Sequence, residues 1–140
     1  MPIRPAMTTK RNDNELERGT AEQVQSQLDK IARGLAKLDD AVITLADSDS
    51  MVGVAKIIAT RLDLRTGNIV EALDAQSDEP MRVVCRAAGL NINAFSAILR
   101  LRRRRLRGGE LSPAEALAAY YRIESATPAD VRRLLKLEAE

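Results

Sequence analysis

The sequence predicts an all-α protein, a long N-terminal heptad helix followed by a bundle of short helical hairpins. Three observations carry that prediction. Apolar residues make up 45% of the 140 positions but aromatic residues only 2%, with no Trp, so the core has to be aliphatic. Aliphatic residues recur at the three- and four-residue intervals of a helix, and no stretch alternates as a half-buried strand would. Two segments, Ser112-Pro113-Ala114-Glu115 and Thr127-Pro128-Ala129-Asp130, place a capping hydroxyl, a helix-starting Pro and an acid in the order that opens a helix.

Residues 1–19 mix Pro, Thr, Asn and charges with almost no apolar side chains, and are expected to form a mobile tail before a single helical domain over 20–140. From Thr20, Val24, Leu28, Ile31, Leu35, Leu38, Val42 and Leu45 are spaced 4, 3, 4, 3, 4, 3, an unbroken heptad seam. One helix over 20–46 follows from it, roughly 40 Å long at 1.5 Å per residue, interrupted by Asp47-Ser48-Asp49-Ser50. Small residues beside the seam, Ala32, Gly34, Ala41 and Ala46, permit close approach of another helix. The seam is expected to pack on helices of the same chain or on a second copy.

Ser50 caps a second helix, Met51 to Leu62, with Val54, Ile57, Ile58 and Leu62 on one stripe. A third, from Thr66 to about Ala75, presents Ile69, Val70 and Leu73. Asp78 and Pro80 open a fourth in which Met81, Val84, Cys85 and Ala88 share a face, and Gly89 stops it in the left-handed conformation. Asn91 or Asn93 caps a fifth through Phe95, Ile98, Leu99 and the arginines to Leu106, ended by Gly108-Gly109. The two Pro-opened helices complete a set of seven; Leu117, Tyr120 and Tyr121 form the apolar face of the first, Val131, Leu134 and Leu135 that of the second.

The composition narrows function. The chain has no His and one thiol, Cys85, which removes the usual general base and the usual zinc ligands and excludes an internal disulfide. The acid pairs Asp39-Asp40 and Asp47 with Asp49 read as a solvated helix face and a capping linker. No Gly-rich phosphate loop follows a strand, and the longest apolar runs are far short of the roughly 20 residues that cross a bilayer. Neither a membrane span nor a secretion signal is expected, and a cytoplasmic setting follows.

Net charge is +2, yet residues 1–80 hold 10 Lys or Arg against 14 Asp or Glu, and residues 81–140 hold 12 against 6. Such polarity fits an anionic partner for the basic part or a match between the two parts of the chain. At 100° per residue Arg100, Arg103, Arg104 and Arg107 form an exposed ridge opposite Phe95, Ile98, Leu99 and Leu106. The ridge suits phosphate, of nucleic acid or of an anionic surface, or the chain's own acids. Arg102 points toward the apolar stripe and needs an acid, with Glu115 a candidate. The segment 58–73 resembles a helix-turn-helix, with Ala59, Leu62, Leu64, Ile69 and Leu73 at the packing positions, although its second helix carries little positive charge and Asp63 stands where a turn glycine is usual.

At these segments the chain resembles an uncharacterised, mainly alphaproteobacterial helical family, domain of unknown function 2336. The resemblance covers about Asp40 to Leu137. It is carried by Val54-Ala55 through Leu62-Asp63-Leu64, by Val84-Cys85-Arg86-Ala87-Ala88-Gly89-Leu90, by Phe95 with the arginine-rich helix, and by Leu111-Ser112-Pro113-Ala114-Glu115-Ala116. It implies a HEAT-like stack of helical pairs with no catalytic residues to carry over. The chain departs from the family in having the heptad helix where a longer N-terminal portion is usual.

The sequence therefore reads as a non-enzymatic protein-interaction or regulatory adaptor without a cofactor or metal. It self-associates through Leu28, Ile31, Leu35, Leu38, Val42 and Leu45, and its partner is a protein, itself included. The alternative is nucleic-acid binding through 58–73 or through Arg100, Arg103, Arg104 and Arg107.

Overall fold

The computed structural model describes residues 21–106 and 112–136. The tail expected over 1–19, Arg107 and the Gly108-Gly109 stop lie outside the described residues. Among the described residues there are eight helices and no strand. They are α1 (residues 21–32), α2 (Leu38–Asp47), α3 (Met51–Leu62), α4 (Thr66–Leu73), α5 (Glu79–Ala87), α6 (Ile92–Leu106), α7 (Pro113–Arg122) and α8 (Pro128–Leu134).

The single helix expected over 20–46 is two helices. The break is at Gly34, whose φ of 75° lies in the left-handed region. Leu35 N–H donates to Lys30 C=O at 2.8 Å and Gly34 N–H to Ile31 C=O at 3.0 Å, the paired bonds of a Schellman closure. A heptad pattern records which face is apolar but not whether the backbone continues. Glycine, about 1 kcal/mol poorer than Ala inside a helix, makes this turn cheap.

Similar closures end other helices. Gly89 (φ 78°) stops α5 as expected, with Leu90 N–H on Cys85 C=O at 3.1 Å. Asp49 and Asp63, at φ 61° and 58°, do the same for α2 and α3. Aspartate tolerates this conformation better than most side chains, so the missing turn glycine at 63 is replaced in kind.

The starts follow the sequence closely. Ser50 Oγ accepts from Gly53 N–H at 3.0 Å, Asn91 Oδ1 from Ala94 N–H at 2.9 Å, and Ser112 and Thr127 form full capping boxes with Glu115 and Asp130. Helix α4 ends at Leu73, two residues earlier than expected.

One buried cluster draws side chains from all eight helices. α2 packs on α3 and α6, α3 on α4, α5 on α4 and α8, and α7 on α5 and α6. The predicted stripes of α3 and α5 are buried throughout: Val54, Ile57, Ile58 and Leu62 on one, Met81, Val84, Cys85 and Ala88 on the other. Phe95 and Tyr120 stack with ring centroids 4.1 Å apart, and Tyr120 Oη donates to Leu90 C=O at 2.7 Å. Tyr121, expected on the apolar face of α7, is 67% exposed, because Ala116 and Tyr120 already fill that face.

The heptad seam is turned into this core. Val42 and Leu45 are fully buried and Leu28, Ile31 and Leu38 pack against the cluster, while Leu35 is 70% exposed. Helix α1 docks where Gly53 lacks a side chain; a Cβ there would meet Ser50 Oγ at 2.4 Å and Val24 Cγ2 at 2.9 Å.

Gly53→Ala sets a helix-propensity gain of about 1 kcal/mol against loss of the Ser50 cap and overpacking of Val24, together about 2–4 kcal/mol. Net destabilisation of about 1–3 kcal/mol is expected in urea unfolding, and Val24→Ala in the same background should recover part of it.

Candidate functional site

The arginine-rich end of α6 is the densest concentration of chemistry in the described chain. Its apolar residues Ala94, Phe95, Ile98 and Leu101 are buried. The helix is thereby anchored with its last turns beside the C-terminal ends of α2 and α4.

Arg102 is 3% exposed and Asp78 1%. Arg102 Nε donates to Asp78 Oδ1 at 2.7 Å, Nη1 to Leu73 C=O at 2.7 Å and Nη2 to Gln76 C=O at 3.1 Å. Leu73 is the last residue of α4 and Asp78 the residue before α5. One planar guanidinium thus holds the end of one helix, the connector and the start of the next. Its partner is Asp78 and not the expected Glu115, which caps α7 through Ser112 instead. Asp78 precedes α5 in the place of an N-cap, yet its carboxylate makes no cap bond; Ser77 Oγ accepts from Glu79 N–H at 3.1 Å in its stead.

The ridge itself also meets acids. Arg104 Nε lies 2.7 Å from Asp49 Oδ1, and its Nη2 donates to Ala46 C=O at 2.9 Å near the C-terminus of α2. Arg105 makes two bonds to Asp74, at 3.3 and 3.1 Å. Arg100 lies 3.6 Å from Asp47, and Arg103 3.9 Å from Asp78. The structure therefore brings Arg100, Arg103 and Arg104 together as ridge members and supplies each with an aspartate; Arg107 lies outside the described residues. Helix C-termini carry partial negative charge, so guanidinium groups at the ends of α2 and α4 are also in favourable fields. The sequence held one clue to these partners, an acidic first part and a basic second.

Of the acids in the pairs Asp39-Asp40 and Asp47 with Asp49, three have structural roles. Asp39 Oδ1 accepts from Asn91 N–H at 2.8 Å, tying the start of α2 to the start of α6. Asp47 and Asp49 are ridge partners. Cys85 is fully buried, and desolvation pushes its thiol well above the ordinary range; burial does the same to the Tyr120 hydroxyl. Hydrogen bonds from the Ser112 backbone and hydroxyl hold Glu115 below its usual value, and those from Thr127 act likewise on Asp130. Among the described residues no group of three or more Cys, Asp or Glu could hold a metal ion. No helix among them is long and apolar enough to cross a membrane.

In the segment 58–73 the apolar positions face the core. Ala59, Leu62, Ile69 and Leu73 are buried, and Leu64 is half-buried. Arg61 and Arg65 are exposed around its turn. Sequence reasoning did not single out Val52, 60% exposed beside the buried Gly53; nothing in the periodicity separated it from its buried neighbours.

Arg102→Met strands a buried carboxylate and is expected to cost about 3–5 kcal/mol in chemical denaturation, whereas Arg102→Met with Asp78→Leu should regain much of that loss. Arg104→Gln, at a half-exposed pair, should cost about 1 kcal/mol or less, and high salt should erase the difference. Because the folded Glu115 and Asp130 titrate below their unfolded values, their stabilisation is present above about pH 4 and is lost as pH falls through the folded values. An acid titration followed by circular dichroism should show wild type losing more stability below about pH 4 than Glu115→Ala/Asp130→Ala.

Comparison of the chain with protein-family models, with curated proteins and with solved structures finds no match.

Proposed function

We propose that this chain is a non-enzymatic protein-interaction or regulatory module of the cytoplasm that self-associates, and that it is kin to the helical family its central segments resemble. The observation that carries the reading is Leu35. The heptad seam keeps its phase through this residue, and Leu35 is the most exposed of the large apolar side chains in the described chain. Val52 and Tyr121 add exposed apolar surface elsewhere. The groups that would do chemistry are otherwise engaged: Asp39, Asp47 and Asp49 in joining helices, and Cys85 as a buried neutral thiol.

Nucleic-acid binding is the second reading, favoured by the packed α3–α4 pair with Arg61 and Arg65 at its corner. Against it, the ridge on α6 already has aspartates beside its guanidinium groups. Phosphate would have to displace them, and counterion release would weaken accordingly.

In-cell crosslinking should capture protein partners, the chain itself included, with wild type. Leu35→Glu, Val52→Glu and Tyr121→Glu, each within about 0.5 kcal/mol of wild-type stability as exposed substitutions, should reduce capture; Arg100→Gln/Arg104→Gln should not. Duplex DNA and RNA titrated across a range of salt should bind weakly. Tight binding with a steep salt slope, lost in the arginine variant or in Arg61→Gln/Arg65→Gln, would put the second reading first.

A further inference from the structure

We propose that α1 is an exchangeable arm: when two copies pair, the turn over 33–37 straightens, residues 21–46 become one helix, and each α1 docks on the other copy's body. This rests on the self-association in the function proposed above and names its partner and device. Two helices folded back on one body need no common phase, because the turn between them resets the rotation. Here the apolar spacing runs through the turn without a slip, Ile31 to Leu35 to Leu38, which is the pattern one continuous helix requires.

The turn at Gly34 also lacks a usual reinforcement. A Schellman closure is usually completed by an apolar contact from the residue after the left-handed one. At Gly89 that residue, Leu90, is buried, and at Asp63 it is the half-buried Leu64. At Gly34 it is Leu35, 70% exposed, and the facing position is Lys30. The arm itself is lightly held. Of its seam residues only Val24 is fully buried, Leu28 and Ile31 are partly so, and the side-chain hydrogen bond from Gln23 to Ser48 is long, at 3.5 Å.

The occupant is a second copy because an exchanged α1 makes on its neighbour every contact it gives up on its own chain. The two straightened helices then cross near Leu35, which gains a partner it lacks in the closed chain. Ala32 and Gly34 flank that point and let the backbones approach.

The test uses the full chain with Glu22→Cys and Ser48→Cys for spin labels; Cys85 is fully buried and stays unlabelled. In the closed chain the two sites are near, as the Gln23–Ser48 contact requires; along one helix they stand about 39 Å apart. Doubly labelled chains diluted into unlabelled wild type should show the long distance within one chain in the dimer. Mixed singly labelled chains should show the short distance between chains, rising with protein concentration. Gly34→Ala, which strains the left-handed turn and favours helix, should strengthen dimerisation by at least about tenfold. Gly34→Asn should behave nearly as wild type, and Leu35→Glu should abolish the dimer while leaving the monomer's unfolding midpoint unchanged. A dimer whose short distance stays within one chain overturns the arm exchange and leaves self-association standing. Sedimentation giving only monomer for wild type and Gly34→Ala at every concentration overturns both.

Discussion

The buried guanidinium of Arg102 is the contact on which the arrangement of the middle of the chain depends. Removing a carboxylate and a guanidinium from water costs several kcal/mol each, and mutual attraction offsets this only when every donor and acceptor is matched. Here three separate acceptors, Leu73 C=O, Gln76 C=O and Asp78, converge on one fork. The energetic gain over a well-packed apolar alternative is small; the gain in specificity is large. A connector of five residues between α4 and α5 has many conformations, and few of them place two carbonyls and a carboxylate around one guanidinium. The same fork fixes where α6 sits against the α4–α5 connector.

The same helix explains the uneven charge along the sequence. Asp47, Asp49, Asp74 and Asp78 lie in the acidic first part, and each stands beside an arginine of α6. The half-exposed pairs contribute little to stability singly. Together they leave the described part of the ridge close to electrically balanced within the chain.

Much of this was legible beforehand, and the failures have definite causes. Ser50, Ser112 and Thr127 were readable as caps because their mechanism is local, a hydroxyl reaching an amide three residues on. The buried faces of α3 and α5 were readable because helical spacing fixes which side chains lie together. The split at Gly34 was not, because hydrophobic phase was continuous across it and outweighed a single glycine. The left-handed backbone at Asp49 and Asp63 was not legible, because aspartate serves equally as a cap or a solvated charge. Glu115 is near Arg102 in sequence, whereas the true partner, Asp78, is 24 residues away and is brought near only by packing.

The distribution of buried side chains has a further consequence. The centre, α3 to α6, supplies most of the fully buried residues, whereas α7 contributes Ala116 and Tyr120, α8 contributes Val131, and α1 contributes Val24. Resistance to local opening follows buried contact, so the molecule has a durable middle with two loosely fastened ends. Under thermal or proteolytic stress the ends should part from it separately and first. Helix α7 is restrained chiefly by one aromatic stack and one tyrosyl hydroxyl, α8 by Val131 against α5, and the N-terminal helix by a valine seated on a glycine.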